Sequence, residues 1–185
     1  MQTLRVFAAL VIVPTLTSLS FGQPAPEGFR DLKWGATPEE VRLAFPSASC
    51  DTKQSELSDW MCELHGEQIN DVSVFILLKG YTSGKVVGMS GISLSFRSNE
   101  VDRIAEAFED RYGKPSRVEE KEFRTRAGER FPNMEWQWEF PDSKITIMQH
   151  GATLGSAHAL VSLRAATDEF KKRIQQRKSG AGKGL

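Results

Sequence analysis

The chain is poor in the residues that mark common catalytic and metal sites, and it has no excess charge of either sign. Its 185 residues include two cysteines and three histidines, and 24 lysines and arginines are matched by 24 aspartates and glutamates. A near-neutral chain lacks the concentrated basic surface that nucleic-acid binding requires. Beyond residue 22 no stretch is apolar enough to span a bilayer. We therefore expect neither a nucleic-acid partner nor stable membrane insertion.

Several familiar catalytic signatures are also missing. The sequence has no serine in a nucleophile elbow, no glycine loop that leads into a helix and could hold a phosphate, and no cysteine–histidine nucleophile arrangement. Nothing in it indicates a cofactor. These absences favour a protein that acts by binding rather than an enzyme, and they leave catalysis by carboxylates or histidines as the alternative.

The first 22 residues predict a secretory signal peptide. Arg5 supplies a short positive region, residues 6–13 are continuously apolar, and Ser20 and Gly22 form a small-x-small cleavage site before Gln23. The apolar run is too short to cross roughly 30 Å of hydrocarbon. We expect cleavage near Gly22 and Gln23, which yields a soluble periplasmic or secreted protein with one more acidic than basic side chain.

The two cysteines, Cys50 and Cys62, are twelve residues apart. In an exported protein an even pair at this spacing predicts one structural disulfide. Closing so short a loop contributes on the order of 3 kcal/mol to the free energy of unfolding. The alternative, a redox-active or free pair of thiols, lacks both a Cys-x-x-Cys spacing and a flanking positive charge.

Two hexapeptides, residues 59–64 and 135–140, share one chemical outline. Each reads acid, tryptophan, any residue, large apolar residue, glutamate, large apolar residue. Such a likeness indicates an internal repeat, which constrains architecture. Alternation along both segments indicates core strands, with Trp60, Trp136 and Trp138 facing inward.

Helix signals precede each group of predicted strands. Thr37 and Glu40 form a capping box around Pro38. A second helix carries an apolar stripe at helical spacing, formed by Val101, Ile104, Ala105, Phe108 and Tyr112.

These signals together predict an α+β fold of two helix-plus-antiparallel-strand repeats. The repeats cover about residues 29–97 and 98–166, the helices pack on one face of the sheet, and an extra C-terminal helix spans 167–178. We expect a single domain over 23–178 and a flexible tail over 179–185, because glycine and lysine dominate the end of the chain.

Two successive units of this kind behind a signal peptide, with a disulfide inside one unit, resemble the beta-lactamase inhibitor protein architecture and the related small outer-membrane assembly lipoproteins. The segments Trp34-Gly35-Ala36-Thr37-Pro38-Glu39-Glu40-Val41 and Tyr112-Gly113-Lys114-Pro115 are also similar to many small secreted bacterial proteins of unknown role. The resemblance concerns architecture, and it implies a protein that binds a partner.

Two histidines are the candidates for a metal or catalytic site. His150 and His158 flank a glycine-rich loop, so a hairpin would place them opposite each other. Two imidazoles on paired strands can hold a metal ion if a third ligand is supplied. Two ordinary histidines at the end of a hairpin are the alternative interpretation, which we favour.

The candidates for partner binding are Trp34, Glu135, Gln137 and Glu139. The last three line one face of a strand, and its predicted neighbour carries Glu119, Glu120 and Glu122. Carboxylate pairs catalyse glycoside hydrolysis, but acids balanced by nearby lysine and arginine are typical of a solvated sheet face.

The sequence thus predicts an exported, soluble, non-catalytic binding or inhibitor-like protein of the bacterial envelope. It would recognise a protein or envelope component through the free face of an antiparallel sheet. Two alternatives stay open: a small extracytoplasmic hydrolase using surface carboxylates or His150 and His158, and a structural envelope accessory. The sequence does not indicate an oligomeric state.

Overall fold

One antiparallel sheet of eight strands dominates the fold in a computed structural model that describes residues 24–52 and 58–181. A two-stranded hairpin, β1 (Gly28–Phe29) and β2 (Leu32–Lys33), precedes it. The sheet has the order β3-β4-β5-β6-β10-β9-β8-β7. Its strands are β3 (Ser49–Asp51), β4 (Trp60–Ile69), β5 (Val72–Tyr81), β6 (Gly88–Arg97), β7 (Arg117–Arg124), β8 (Arg130–Glu139), β9 (Ser143–Met148) and β10 (Ser156–Leu163).

Three α-helices accompany the sheet: α1 (Pro38–Ala44), α2 (Val101–Tyr112) and α3 (Arg164–Ala181). The predicted capping box of α1 is confirmed, because the Glu40 backbone N–H donates to Thr37 Oγ1 and the Thr37 N–H donates to Glu40. The predicted stripe of α2 is also confirmed, since all five of its apolar residues are buried. The predicted C-terminal helix is present, but it begins at Arg164 and extends to Ala181.

The main core lies between the sheet and the helices α1 and α2. Trp60 and Trp138 are 1% and 0% exposed, which confirms them as core residues, and Trp136 is half-buried against the same core. The Trp138 indole N–H donates to the Gly113 carbonyl oxygen over 2.7 Å. This bond satisfies the buried donor and ties β8 to the end of α2, where Gly113 has a φ of 77°.

The predicted architecture of two helix-plus-strand repeats is wrong. All eight strands belong to a single sheet, which is continuous through the pairing of β6 with β10. The flanking elements are unequal, since α1 has seven residues and α2 has twelve after a 3₁₀ turn. The two hexapeptides have similar outlines because both lie in strands with one buried face, and such strands alternate apolar and polar side chains without any duplication.

The extra C-terminal helix, α3, does not lie on the same side of the sheet as α1 and α2. Ala166 and Phe170 of α3 face Lys79, Leu160 and Ser162 across a small cavity. These three sheet residues point away from the core side, on which α1 and α2 lie. Therefore α3 covers one end of the opposite face, where it adds a small second cluster with Tyr81, Val86 and Ala166 at its centre.

The predicted disulfide is present. Cys50 on β3 and Cys62 on β4 are directly opposed in the register, with their Cα atoms 4.0 Å apart. The predicted signal peptide, residues 1–22, and the end of the predicted tail, residues 182–185, lie outside the described residues. Over residues 24–52 and 58–181, none of the helices has the length and apolar composition needed to cross a membrane.

Candidate functional site

The sheet has one face that α1 and α2 leave uncovered, which we call the open face. Strand pairing fixes which side chains lie side by side on it, because directly opposed residues point to the same side of a sheet. One row across the open face comprises Phe75, Ser95, His158, Met148, Glu135 and Glu119. The next row comprises Glu63, Leu77, Ser93, Leu160, Thr146, Gln137 and Arg117.

Four apolar side chains lie on the open face, and Ser93 and Ser95 of β6 separate the two on β5 from the other two. Phe75 and Leu77 on β5, Leu160 on β10 and Met148 on β9 are all half-buried. We call these four residues the apolar strip. The Phe75 ring also contacts the His65 ring, with centroids 5.1 Å apart. Solvent thus reaches part of each side chain, and none of the four has the complete burial of the core residues on the other face.

His158 lies at the centre of this face and contacts two serines. Its Nε2 is 2.9 Å from Ser93 Oγ, and its Nδ1 is 3.4 Å from Ser95 Oγ. Burial, and to a smaller extent the charge of Lys79, lowers the pKa of His158, which favours the neutral imidazole. Burial also lowers the pKa of Lys79. The pair of Ser93 and His158 resembles the first two members of a hydrolytic triad, but a serine rather than a carboxylate contacts the second ring nitrogen.

His150 lies in a different environment. Its ring packs against Phe123 of β7 with centroids 5.6 Å apart, and its backbone N–H and carbonyl oxygen both bond the Asn133 side chain. Its Nδ1 is buried without a hydrogen-bond partner within the described part of the chain. The described residues contain no group of three or more His, Cys, Asp or Glu side chains placed to hold a metal ion. The hairpin therefore does not join His150 and His158 to a third ligand there.

The acidic candidates belong to a network of fixed charges at the β7–β8–β9 end of the open face. Lys121 Nζ lies 2.8 Å from both Glu119 Oε1 and Glu135 Oε2. The Gln137 amide donates to Glu135, and Lys144 Nζ donates to Gln137 Oε1 over 3.0 Å. Glu135 and Gln137 are buried by these neighbours, at 7% and 8% exposure. Their polar atoms are thereby satisfied within the protein.

The protonation preferences in this network do not suit a general acid. The hydrogen bond from Lys121 lowers the pKa of Glu119, and the hydrogen bonds to Glu119 and Glu135 raise the pKa of Lys121. At Glu139, the hydrogen bond from Lys144 is the largest cause of a lowered pKa, with Arg164 adding to it. The carboxylates of Glu119 and Glu139 thus stay ionised, whereas a general acid at neutral pH needs a raised pKa.

Trp34, the remaining predicted candidate, is not on the open face. It belongs to the N-terminal segment, packs against the main core, and its indole N–H donates to the Pro26 carbonyl oxygen over 2.7 Å. The structure therefore brings Glu135, Gln137 and Glu139 together on one strand, places His158 two strands away on the same face, and places Trp34 on the other side of the sheet.

An ion pair anchors α3 where it crosses the end of the open face. Arg173 Nη1 lies 2.7 Å from Asp59 Oδ1, and Asp59 Oδ2 also accepts from the Thr82 N–H and hydroxyl. The Arg173 guanidinium stacks over the Tyr81 ring at 4.5 Å. Arg173 lowers the pKa of Asp59. Sequence reasoning did not identify this contact, because its partners are 114 residues apart and neither belongs to a recognisable motif.

Comparison with models of protein families, with curated proteins and with solved structures found no significant match.

Proposed function

We propose that the protein is an exported, non-catalytic binding protein of the bacterial envelope, and that its open face binds a partner protein. The apolar strip carries this proposal. Four half-buried apolar side chains on β5, β10 and β9 share this face with the polar groups Ser93, Ser95 and His158, and charged side chains lie beyond them. Protein interfaces likewise combine solvent-accessible apolar side chains with polar and charged groups.

The charged rim adds to the suitability of the open face. Lys121, Glu135 and Lys144 are already held by neighbouring side chains, so they lose little conformational freedom when a partner arrives. Since positive and negative groups alternate along this rim, it offers paired contacts to a partner rather than a field of one sign. The surface that would complement the open face belongs to a folded protein and carries apolar side chains with charges of both signs around them.

Export is supported by two independent features. The N-terminal sequence has the pattern of a signal peptide, and the Cys50–Cys62 disulfide suits an oxidising compartment. An inhibitor-like role would follow if the partner were an enzyme whose active site the open face covers. The resemblance to beta-lactamase inhibitor protein was based on a two-repeat architecture that the single continuous sheet does not bear out, so that version depends on the open face alone.

Site-specific photo-crosslinking tests the proposal. A photoreactive benzoylphenylalanine replaces Leu160 on the open face or, as the control, Leu43 on α1, which is 82% exposed on the other side of the sheet. We expect one discrete adduct from position 160 in the native envelope and none from position 43. The partner identified in this way is then purified and titrated. Adducts from position 43 alone, or from neither position, would contradict the proposal.

A small hydrolase is the second candidate, because Ser93 Oγ lies 2.9 Å from His158 Nε2. Ser93 is only 5% exposed, so a substrate could reach its hydroxyl only after neighbouring side chains move. Turnover of an ester or peptide panel by the wild type, abolished in both Ser93→Ala and His158→Gln, would favour the hydrolase. Equal inactivity of the wild type and both variants would favour the binding protein.

A further inference from the structure

We propose that a cavity on the helix side of the sheet binds a small amphipathic anion, a molecule with an unbranched apolar body and a terminal carboxylate. The cavity lies between α2 and the β1–β2 hairpin and has a volume of about 400 Å³. Sites for small ligands commonly range from roughly 300 to 1,000 Å³. The site lies on the opposite side of the sheet from the open face, and it does not depend on the function proposed for that face.

The interior of this cavity is apolar. Ile92 and Leu94 of β6 and Val161 of β10 form its floor, and Phe108 and Tyr112 of α2 form one wall. All five side chains are buried in the core, so their positions are set by packing that does not depend on a ligand. An apolar ligand body would cover the parts of these side chains that line the cavity, and the gain scales with the apolar area removed from water.

Two arginines line the mouth of the cavity. Arg30 from the hairpin and Arg111 from α2 both line it, and both also line an adjoining depression of about 220 Å³. Arg30 is paired with Glu67, and Glu27 lines the outer depression. The Arg111 guanidinium stacks near the Tyr112 ring at 5.6 Å, and among the described residues no carboxylate forms an ion pair with it. Arg111 is therefore the group available to an incoming anion.

Tyr112 provides a second polar contact at the same place. Its side chain lines both the cavity and the outer depression, and burial raises the pKa of its hydroxyl. The hydroxyl thus remains a hydrogen-bond donor at neutral pH. An arginine fork and a phenol beside an apolar chamber match a carboxylate at the end of an apolar chain.

The walls of the cavity are held in place by their own contacts. The Arg103 guanidinium on α2 donates to the Asn70 carbonyl oxygen over 2.8 Å and thereby fixes the β4–β5 turn at the rim. The hairpin is fixed by the backbone N–H of Trp34, which donates to the Glu27 carbonyl oxygen over 2.9 Å. Gly28 is required in this hairpin, since a Cβ atom there would lie 1.9 Å from the Leu32 carbonyl oxygen. Such preorganisation lowers the entropy cost of binding.

Titration calorimetry of the purified protein with decanoate tests the site. Decanol and acetate are the matched probes that lack the charge and the apolar body, respectively. We expect saturable binding of decanoate at one site, and binding weaker by at least about tenfold for each of the other two probes, because a charge-assisted hydrogen bond and the apolar contacts are each lost.

Two variants and one control locate the ligand. Arg111→Gln should weaken decanoate binding by roughly tenfold, and Ala107→Phe should abolish it by filling the cavity from the half-buried wall of α2. Arg126→Gln, an exposed arginine in the β7–β8 turn, should leave it unchanged. Thermal melts establish that each variant is folded. Absence of decanoate binding, or decanoate binding that survives both Arg111→Gln and Ala107→Phe, would overturn the proposal.

Discussion

The two faces of the eight-stranded sheet differ in how deeply their side chains are buried. On the helix side, alternate residues such as Trp60 and Trp138 are fully buried against α1, α2 and one another. On the open face, the intervening residues form either a half-exposed apolar strip or polar groups bonded to their neighbours, such as Glu135 with Lys121. If the open face binds a partner as we propose, stability and recognition belong to opposite sides of one sheet, and substitutions on the two faces should have separable effects.

The largest loss of stability should follow from a substitution on the helix side. Trp138→Ala removes a completely buried indole, its contact with Phe108 and its hydrogen bond to Gly113. We expect the free energy of unfolding to fall by about 3–5 kcal/mol, measured by urea denaturation. Trp136→Ala on the same strand is the control and should cost less, because Trp136 is only half-buried. Equal losses for the two variants would contradict the assigned core.

Removal of the disulfide should have the next largest effect. Replacing both Cys50 and Cys62 with alanine releases the cross-link between β3 and β4 in the unfolded chain. The expected loss in the free energy of unfolding is about 3 kcal/mol. The wild type unfolded in the presence of a reductant should match the double variant, and an unchanged midpoint in both would show that the bond contributes nothing.

The anchor of α3 should produce a smaller, pH-dependent effect. Asp59→Asn weakens the ion pair with Arg173, and we expect a loss of roughly 1–3 kcal/mol at neutral pH. The folded state holds the pKa of Asp59 below its ordinary value of 3.8. Because the folded state therefore favours the ionised carboxylate, this contribution is present above pH 3.8 and is lost as the pH falls through the lower, folded-state pKa.

Urea titrations of the wild type and Asp59→Asn between pH 7 and pH 2 measure that dependence. The difference in their free energies of unfolding should shrink on acidification. A difference that stays constant over this range would show that Asp59 does not stabilise the fold through its charge.

The smallest effect on stability should come from the apolar strip. Phe75→Ser or Leu160→Asn on the open face should lower the free energy of unfolding by about 1 kcal/mol, because both side chains are only half-buried. The same urea denaturation measures it. A loss as large as that for Trp138→Ala would mean that the open face contributes to stability as much as the core does.

Local sequence signals predicted the parts of the fold that are determined locally. The apolar stripe of α2, the capping box at Thr37 and the opposed cysteines each depend on residues within one helix or one short loop. The order of the strands in the sheet and the position of α3 were beyond such signals, since they depend on the pairing of β6 with β10 and on the contact of Asp59 with Arg173. Contacts between residues far apart in the chain leave no periodic pattern in the sequence.

The candidate site was partly predictable for the same reason. Alternation along β8 placed Glu135, Gln137 and Glu139 on one face, as the structure has them. The contact of Ser93 with His158, and the partial burial of Lys79, arise from pairing between strands 65 residues apart or from cover by α3. Ser93 and Ser95, which alternate with apolar residues along β6, are the sequence feature that indicates the polar centre of the open face.

The affinity of the crosslinked partner for two aspartate variants shows whether the open face is the binding surface. Leu160→Asp introduces a charge into the apolar strip, and Leu43→Asp introduces the same charge on the exposed surface of α1. If the open face is the binding surface, Leu160→Asp should weaken binding by at least about tenfold through the cost of burying an unpaired charge, while Leu43→Asp binds like the wild type. Wild-type affinity of Leu160→Asp, in a variant shown to be folded, would contradict the account.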